Sequence, residues 1–296
     1  MNIRQQSEAY IESLQSRRRN PIKPRTLKAY SSYLRTWIVP LVGAEDLATF
    51  ENGAMRKFVA KLAEAELAPA TTVGVVNCLK GVVGSVLDDN GNEMFPRKWN
   101  NEFMDLPLVV QRDQKAPVIG RAALETAISG AQGVYKPLYA TLAGTGLRIG
   151  ECLALQAGPD DGRGTFWVRE SRMILVRGQM QNGQFLSPKT AAGYRQVDVS
   201  DALNDILSAA CAPVGRVFDI PVSTAYEAAE KDGIPGFHSL RRFRTTRLRE
   251  VGTPEDILKF WIGHGSKDIT DRYSKLASNE ALRKEWAEKA GLGFSV

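Results

Sequence analysis

Hydrophobic spacing changes character twice along this 296-residue chain, and that change limits the possible folds more than any single motif does. Through the first 110 residues, apolar side chains recur every three or four positions, the period of helices that bury one face. Leu27, Tyr30, Tyr33, Leu34, Trp37 and Ile38 form one such stripe, with Thr26 as its expected cap and an end near Pro40 and Gly43. Met55, Phe58, Val59 and Leu62 mark a second helix over 53–65. Val75, Val76, Leu79, Val82, Val83 and Leu87 mark a third after Pro69, with glycines that permit close helix packing. Further on, helices are expected from about Arg121 and from about Tyr135, the latter ending at Gly144-Thr145-Gly146. Between 165 and 200 the pattern shortens to β-prone runs, namely Phe166-Trp167-Val168, Met173-Ile174-Leu175-Val176 and Val197-Asp198-Val199. Turn residues Gln181-Asn182-Gly183 and Pro188-Lys189-Thr190 separate them, and helical spacing resumes from 201 to the end. The polar stretch 111–117 has the composition of a linker. The expectation is a mainly α N-terminal domain over 1–112, then a mixed α+β domain over 113–296 built on a small antiparallel sheet.

Charge placement points to a polyanion. Residues 11–40 contain seven Arg or Lys against one Glu, including Arg17, Arg18, Arg19, Lys23, Arg25 and Lys28. Residues 241–250 sum to +4, with Arg242 and Arg244 among them, while the whole chain carries only +6. Two basic zones far apart in sequence suit double-stranded DNA held between two lobes, although a solvated helix face has the same composition. Cys78, Cys152 and Cys211 are widely spaced, which suits a reducing cytoplasm and excludes a disulfide framework or thiolate zinc site. No run of about 18 apolar residues occurs, so a membrane helix is not expected.

The two histidines, His238 and His264, fall within one 36-residue window that also holds Arg241 and Tyr273. Guanidinium, imidazole and phenol together suit a phosphodiester: guanidinium binds its non-bridging oxygens, imidazole moves a proton, and a phenol oxygen can attack phosphorus. On a helix over 238–251, His238, Arg241, Arg242, Thr245 and Arg249 share a face. Arg148 follows the turn Gly144-Thr145-Gly146 and opens a helix, where Glu151 can orient it or simply form a structural pair with it. Lys189, the only lysine between Lys136 and Lys231, lies by a hairpin turn and suits either a general acid or an idle surface charge. Two histidines without a neighbouring cysteine make a poor transition-metal site, so no metal or cofactor is expected.

In order, Thr145-Gly146-Leu147-Arg148-x-x-Glu151, Pro188-Lys189-Thr190, His238-x-Leu240-Arg241, Gly263-His264 and Arg272-Tyr273 resemble the tyrosine recombinase (phage integrase) family across about 113–280. Pro24-Arg25-Thr26-Leu27-x-x-Tyr30 is similar to that family's core-binding domain. The resemblance implies site-specific cleavage and rejoining of duplex DNA through a 3′-phosphotyrosine. Arg148 and Arg241 would bind the scissile phosphate, Tyr273 would attack it, and Lys189 would protonate the 5′-oxygen. His238 would serve the tyrosine proton, His264 would hydrogen-bond the phosphate, and Glu151 would support Arg148 or His238. It further implies a homotetramer on paired DNA sites, nucleoid association, and docking in trans of the amphipathic helix expected over 279–290, for which folding back on its own domain is the alternative. Arg242 and Arg244 depart from the pattern, since many relatives have His and a small or apolar residue there. The readings that share this chemistry are a type IB topoisomerase and a telomere resolvase; a DNA-binding relative without catalysis is the remaining alternative.

Overall fold

The structure, a computed structural model, describes residues 1–110, 117–160, 162, 164–181, 183–188, 193–210, 212–263 and 275–296. Lys189, His264 and Tyr273, with the linker residues 111–116, lie outside the described residues. Internal contacts divide the chain into two compact units, Met1–Gln114 and Lys115–Val296.

Unit 1 is helical: α1 (Ile3–Ser16), α2 (Pro24–Tyr33), α3 (Val39–Val42), α4 (Asn52–Glu64) and α5 (Pro69–Val83). Asn2 starts α1 through a reciprocal cap, its side chain accepting from Gln5 N–H while the Gln5 side chain accepts from its own. Thr26 caps nothing, because α2 already begins at Pro24, whose fixed φ and missing N–H suit a first helical turn. The stripe runs past Pro40 and ends at Gly43, as expected. A π-helical turn (Leu34–Ile38) joins α2 to α3, Val39 N–H reaching back to Leu34 O, and the wider turn absorbs the donor that Pro40 lacks. Ile38, Met55, Phe58, Leu62, Val75 and Leu79 close the core, whereas Leu87, expected inside, is exposed. The glycines of α5 allow close packing: a Cβ on Gly81 would sit 2.5 Å from Tyr10 Oη, and one on Gly74 3.0 Å from Tyr33 Oη.

Unit 2 opens with α6 (Arg121–Gly130), α7 (Tyr135–Thr145) and α8 (Ile149–Leu153). Strands β1 (Leu155–Ala157), β2 (Thr165–Val168), β3 (Met173–Val176), β4 (Gln179–Gln181), β5 (Gln184–Leu186) and β6 (Arg195–Asp198) follow. Then come α9 (Asp201–Ala210), β7 (Gly215–Arg216), α10 (Val222–Lys231), α11 (Phe237–Glu250), α12 (Glu255–Ile262) and, last, α13 (Glu280–Ala290). One sheet has the order β6-β3-β2-β1-β7, and β4-β5 stands apart as a two-stranded sheet. The expected antiparallel sheet is in fact mixed. β1 and β2 run parallel, because the chain between them crosses back before pairing. Neither β1 nor β7, three and two residues long, carries enough alternation to show in sequence.

Trp167, Ile174, Val176 and Val197 of the sheet pack with Leu138, Leu142, Leu240, Leu248 and Trp261 from the helices. Within this chain the C-terminal helix packs on its own unit. Arg283, its side chain 1% exposed, pairs with Asp198 Oδ2 at 2.7 Å and also donates to the carbonyls of Leu276 and Ala277. Among the described residues, no helix is long and apolar enough to cross a membrane.

Candidate functional site

The N-terminus of α8 and the first turns of α11 bring four of the sequence-predicted site residues onto unit 2: Arg148, Glu151, His238 and Arg241. α7 stops at Gly146, whose φ of 72° is a conformation that side chains resist, and a Cβ there would lie 2.8 Å from Ile262 Cδ1. The turn aims the Gly146 carbonyl at Arg241, whose Nη1 donates to it at 2.7 Å. Arg241 Nη2 donates to Ile262 O at the end of α12. Two residues after the turn, Arg148 becomes the N-cap of α8. Its backbone N–H donates to Glu151 Oε2 at 2.9 Å and its Nη1 to Oε1 at 2.8 Å.

The carboxylate of Glu151 has a second partner that sequence reasoning missed. Arg195, on β6, donates to it through Nη1 (3.1 Å) and Nη2 (2.8 Å), a bidentate pair with the Arg195 side chain 1% exposed. Its Nε donates to Trp261 O at 2.7 Å, so one guanidinium ties α8 and β6 to the end of α12. A signal existed in the sequence. Arg195 stands two residues before Val197 on a strand and so shares its inward face, where an unpaired charge is not tolerated. Thus Glu151 pairs with Arg148 and with Arg195.

The cluster sets three guanidiniums against one carboxylate, in a largely buried setting that favours an anion. Burial works against the charge of Glu151, but Arg195 and Arg148 outweigh it and hold the carboxyl at about 2. Burial, then repulsion from Arg148 and Arg195, pushes Arg241 below the ordinary arginine range. Arg148 is the most open of the three, its side chain 39% exposed, whereas Arg241 is 6% exposed. His238 is exposed on the first turn of α11. Partial desolvation, followed by Arg241, Arg242 and Arg148, holds its imidazole below the ordinary value, which leaves it neutral at pH 7.

The expected DNA-contacting residues divide. Arg17, Arg18, Arg19, Arg25 and Lys28 are exposed on unit 1, with Lys23 partly so, and none makes an ion pair among the described residues. Arg242 is half-buried, and its Nη1 donates to Pro117 O at 2.8 Å. Arg244 corrects the expectation outright. It is 2% exposed and donates to Gly291 O at 2.6 Å, so it anchors the end of α13 and is not free for DNA. Arg247 does the same through Ala290 O at 3.2 Å, as cations favour helix C-termini. No group of three or more metal-ligating side chains occurs among the described residues.

No protein-family model and no curated protein matches this chain. Solved structures do. A Tn1549 transposon integrase in complex with transposon right end DNA matches at TM-score 0.68 and 17% identity, covering 96% of this chain and 98% of that one. The same integrase with circular intermediate DNA gives 0.66 and 18%, covering 95% and 100%. This is the tyrosine recombinase fold. A lambda integrase dimer bound to a COC' core site shares it at TM-score 0.58 and 15% identity, over 92% of this chain and 95% of that one. Within the tyrosine recombinase fold, the Arg148–Glu151–Arg195 cluster sits where α8, β6 and α12 converge.

Proposed function

We propose that this chain is a site-specific DNA recombinase of the integrase type, which cuts and rejoins duplex DNA through a phosphotyrosine intermediate. The observation that carries the proposal is the excess of guanidinium over carboxylate around Arg148, in a fold it shares with integrases solved on DNA. Arg148 and Arg241 take the non-bridging oxygens of the scissile phosphate and stabilise its charge as a fifth oxygen arrives. Tyr273 Oη attacks phosphorus, the bond to the 5′-oxygen breaks, and Lys189 supplies that oxygen with a proton. His238, neutral at pH 7, accepts the tyrosine proton, and His264 hydrogen-bonds the phosphate. One phosphoester replaces another, so the energy of the broken bond is kept and rejoining runs by the reverse step.

In this reading unit 1 is the core-binding domain, its Arg17–Lys28 stretch lying along the phosphate backbone, and unit 2 is the catalytic domain. Four copies on two paired sites would complete strand exchange. Incubation with a pool of nicked duplexes, followed by denaturing electrophoresis, tests the chemistry. Wild type should yield a covalent protein–DNA adduct and Tyr273→Phe none. An adduct with Tyr273→Phe would remove the tyrosine from its role. DNA binding without any adduct from wild type would leave a non-catalytic relative, and relaxation of plasmids at no particular sequence would indicate a topoisomerase.

A further inference from the structure

The β4–β5 hairpin is distinct from the five-stranded sheet, and neither of its strands carries a residue assigned to the phosphate chemistry. Pairing across it sets Gln181 opposite Gln184, Met180 opposite Phe185 and Gln179 opposite Leu186. Opposed residues share a face, so Gln179, Gln181 and Gln184 line one side with Leu186 at its base, and Met180 and Phe185 line the other. Met180 packs on the core of unit 2. The glutamine side meets α8: a Cβ on Gly150 would lie 2.9 Å from Met180 O and 3.5 Å from Gln179 Cβ. Gly150 is two residues beyond Arg148, so the glutamine face is rooted beside the exposed guanidinium.

That root is fixed by a buried hydrogen bond, and the two glutamines beside the turn reach solvent. Thr165 Oγ1 donates to Gly178 O at 2.9 Å in a buried bond, whereas Gln184 is exposed and Gln181 partly so. Among the described residues, no side-chain hydrogen bond is made by the amide of Gln181 or of Gln184. The sequence from 179 to 186 contains no charged residue, although the site it leans on is rich in arginine. Contacts to phosphate add affinity but carry no sequence information. An amide presents a donor and an acceptor together, which matches the edge of a base, adenine above all, and a two-stranded ribbon fits the major groove.

We propose that this hairpin reads base edges next to the cleaved phosphate, with Gln181 and Gln184 as the specificity-determining side chains and Gln179 as their root. The inference rests on the recombinase reading. Wild type and a Gln181→Ala/Gln184→Ala variant, both as full chains, are each selected for binding against random-sequence duplexes. Wild type should enrich a consensus. The variant should keep that consensus except at one or two adjacent positions, where preference falls roughly tenfold or more, with an unchanged salt dependence. Gln181→Asn, which withdraws the amide by one methylene, should weaken the same positions less. An identical consensus from the double variant overturns the proposal, as does a uniform loss of binding to all sequences. If wild type enriches no sequence, the recombinase reading falls and takes this proposal with it.

Discussion

Replacing Glu151 by glutamine tests the site at its electrostatic centre. The carboxyl titrates at about 2 against an ordinary 4.5, although burial alone would move it the other way. That difference corresponds to about 3 kcal/mol in favour of the charged form. The cost of stranding a buried partner gives an independent figure. Arg195, 1% exposed, would keep its charge with no carboxylate opposite, and breaking a buried pair costs about 3–5 kcal/mol. Glu151→Gln should therefore lower the stability of unit 2 by about 3 kcal/mol at pH 7. The sign of the pH dependence follows from the lowered folded value. The stabilisation is complete above about pH 4.5 and is lost as pH falls toward about 2. The gap between wild type and variant should stay level from neutral pH to about 5, then shrink to roughly half by about pH 3. Urea unfolding of the full chain measures this, read by hydrogen exchange in peptides from 115–296 so that unit 1 does not contribute. Equal stability at pH 7, or a gap that stays constant into acid, would refute the role given to the carboxylate.

Three further outcomes are expected. Because desolvation and the neighbouring arginines lower His238, the acid limb of kcat/KM for adduct formation should lie below pH 6.5. A limb at or above that value, or one that survives His238→Gln, would separate the imidazole from the reaction. Gly146→Ala puts a Cβ 2.8 Å from Ile262 Cδ1 at a φ of 72°, and should cost about 1–3 kcal/mol in a thermal or urea melt; a neutral result would mean the turn relaxes without cost. Replacing Arg17, Arg18 and Arg19 together by alanine should weaken binding to all duplexes alike. The salt dependence should flatten by about 0.9 in log–log slope for each phosphate the variant no longer neutralises. An unchanged slope would place DNA elsewhere.

The broad plan was legible because periodicity is written locally. The stripes around Trp37 and Phe58 and the short runs at 166–168 and 173–176 follow from which face each element buries. Arg148 and Glu151 were legible because a cap and its third residue are neighbours in sequence. Arg195 was not, since its partners Glu151 and Trp261 are 44 and 66 residues away, and only the assembled sheet brings them together. The parallel β1–β2 pair was hidden for the same reason. Charge counting failed at Arg244 in a different way. Five arginines in ten residues looked like a DNA-facing surface, yet Arg244 and Arg247 are spent on the carbonyls that end α13. A count gives the number of cations available and says nothing about which backbone groups need them.

Two buried carboxylates, the only ones among the described residues of this unit, bear on how any mutagenesis here should be interpreted. Glu151 holds Arg148 and Arg195, and Asp198 holds Arg283 while accepting from Trp261 Nε1 at 2.8 Å. Arg195 and Asp198 lie on the same strand, and both fasten Trp261, one by its carbonyl and the other by its indole. Removing either carboxylate thus loosens the end of α12, where Arg241 also finds the Ile262 carbonyl. Replacing a buried residue such as Asp198 would then lower the proposed activity through the fold alone. Asp198 and Arg148 differ in what else changes. Loss of Asp198 leaves Arg283 buried and unpaired, so stability falls with activity. Arg148 is exposed enough that Arg148→Lys should keep the fold while losing the bidentate grip on phosphate proposed for it. Only a substitution that removes adduct formation and leaves the unfolding curve of unit 2 in place identifies a group acting on the phosphodiester itself.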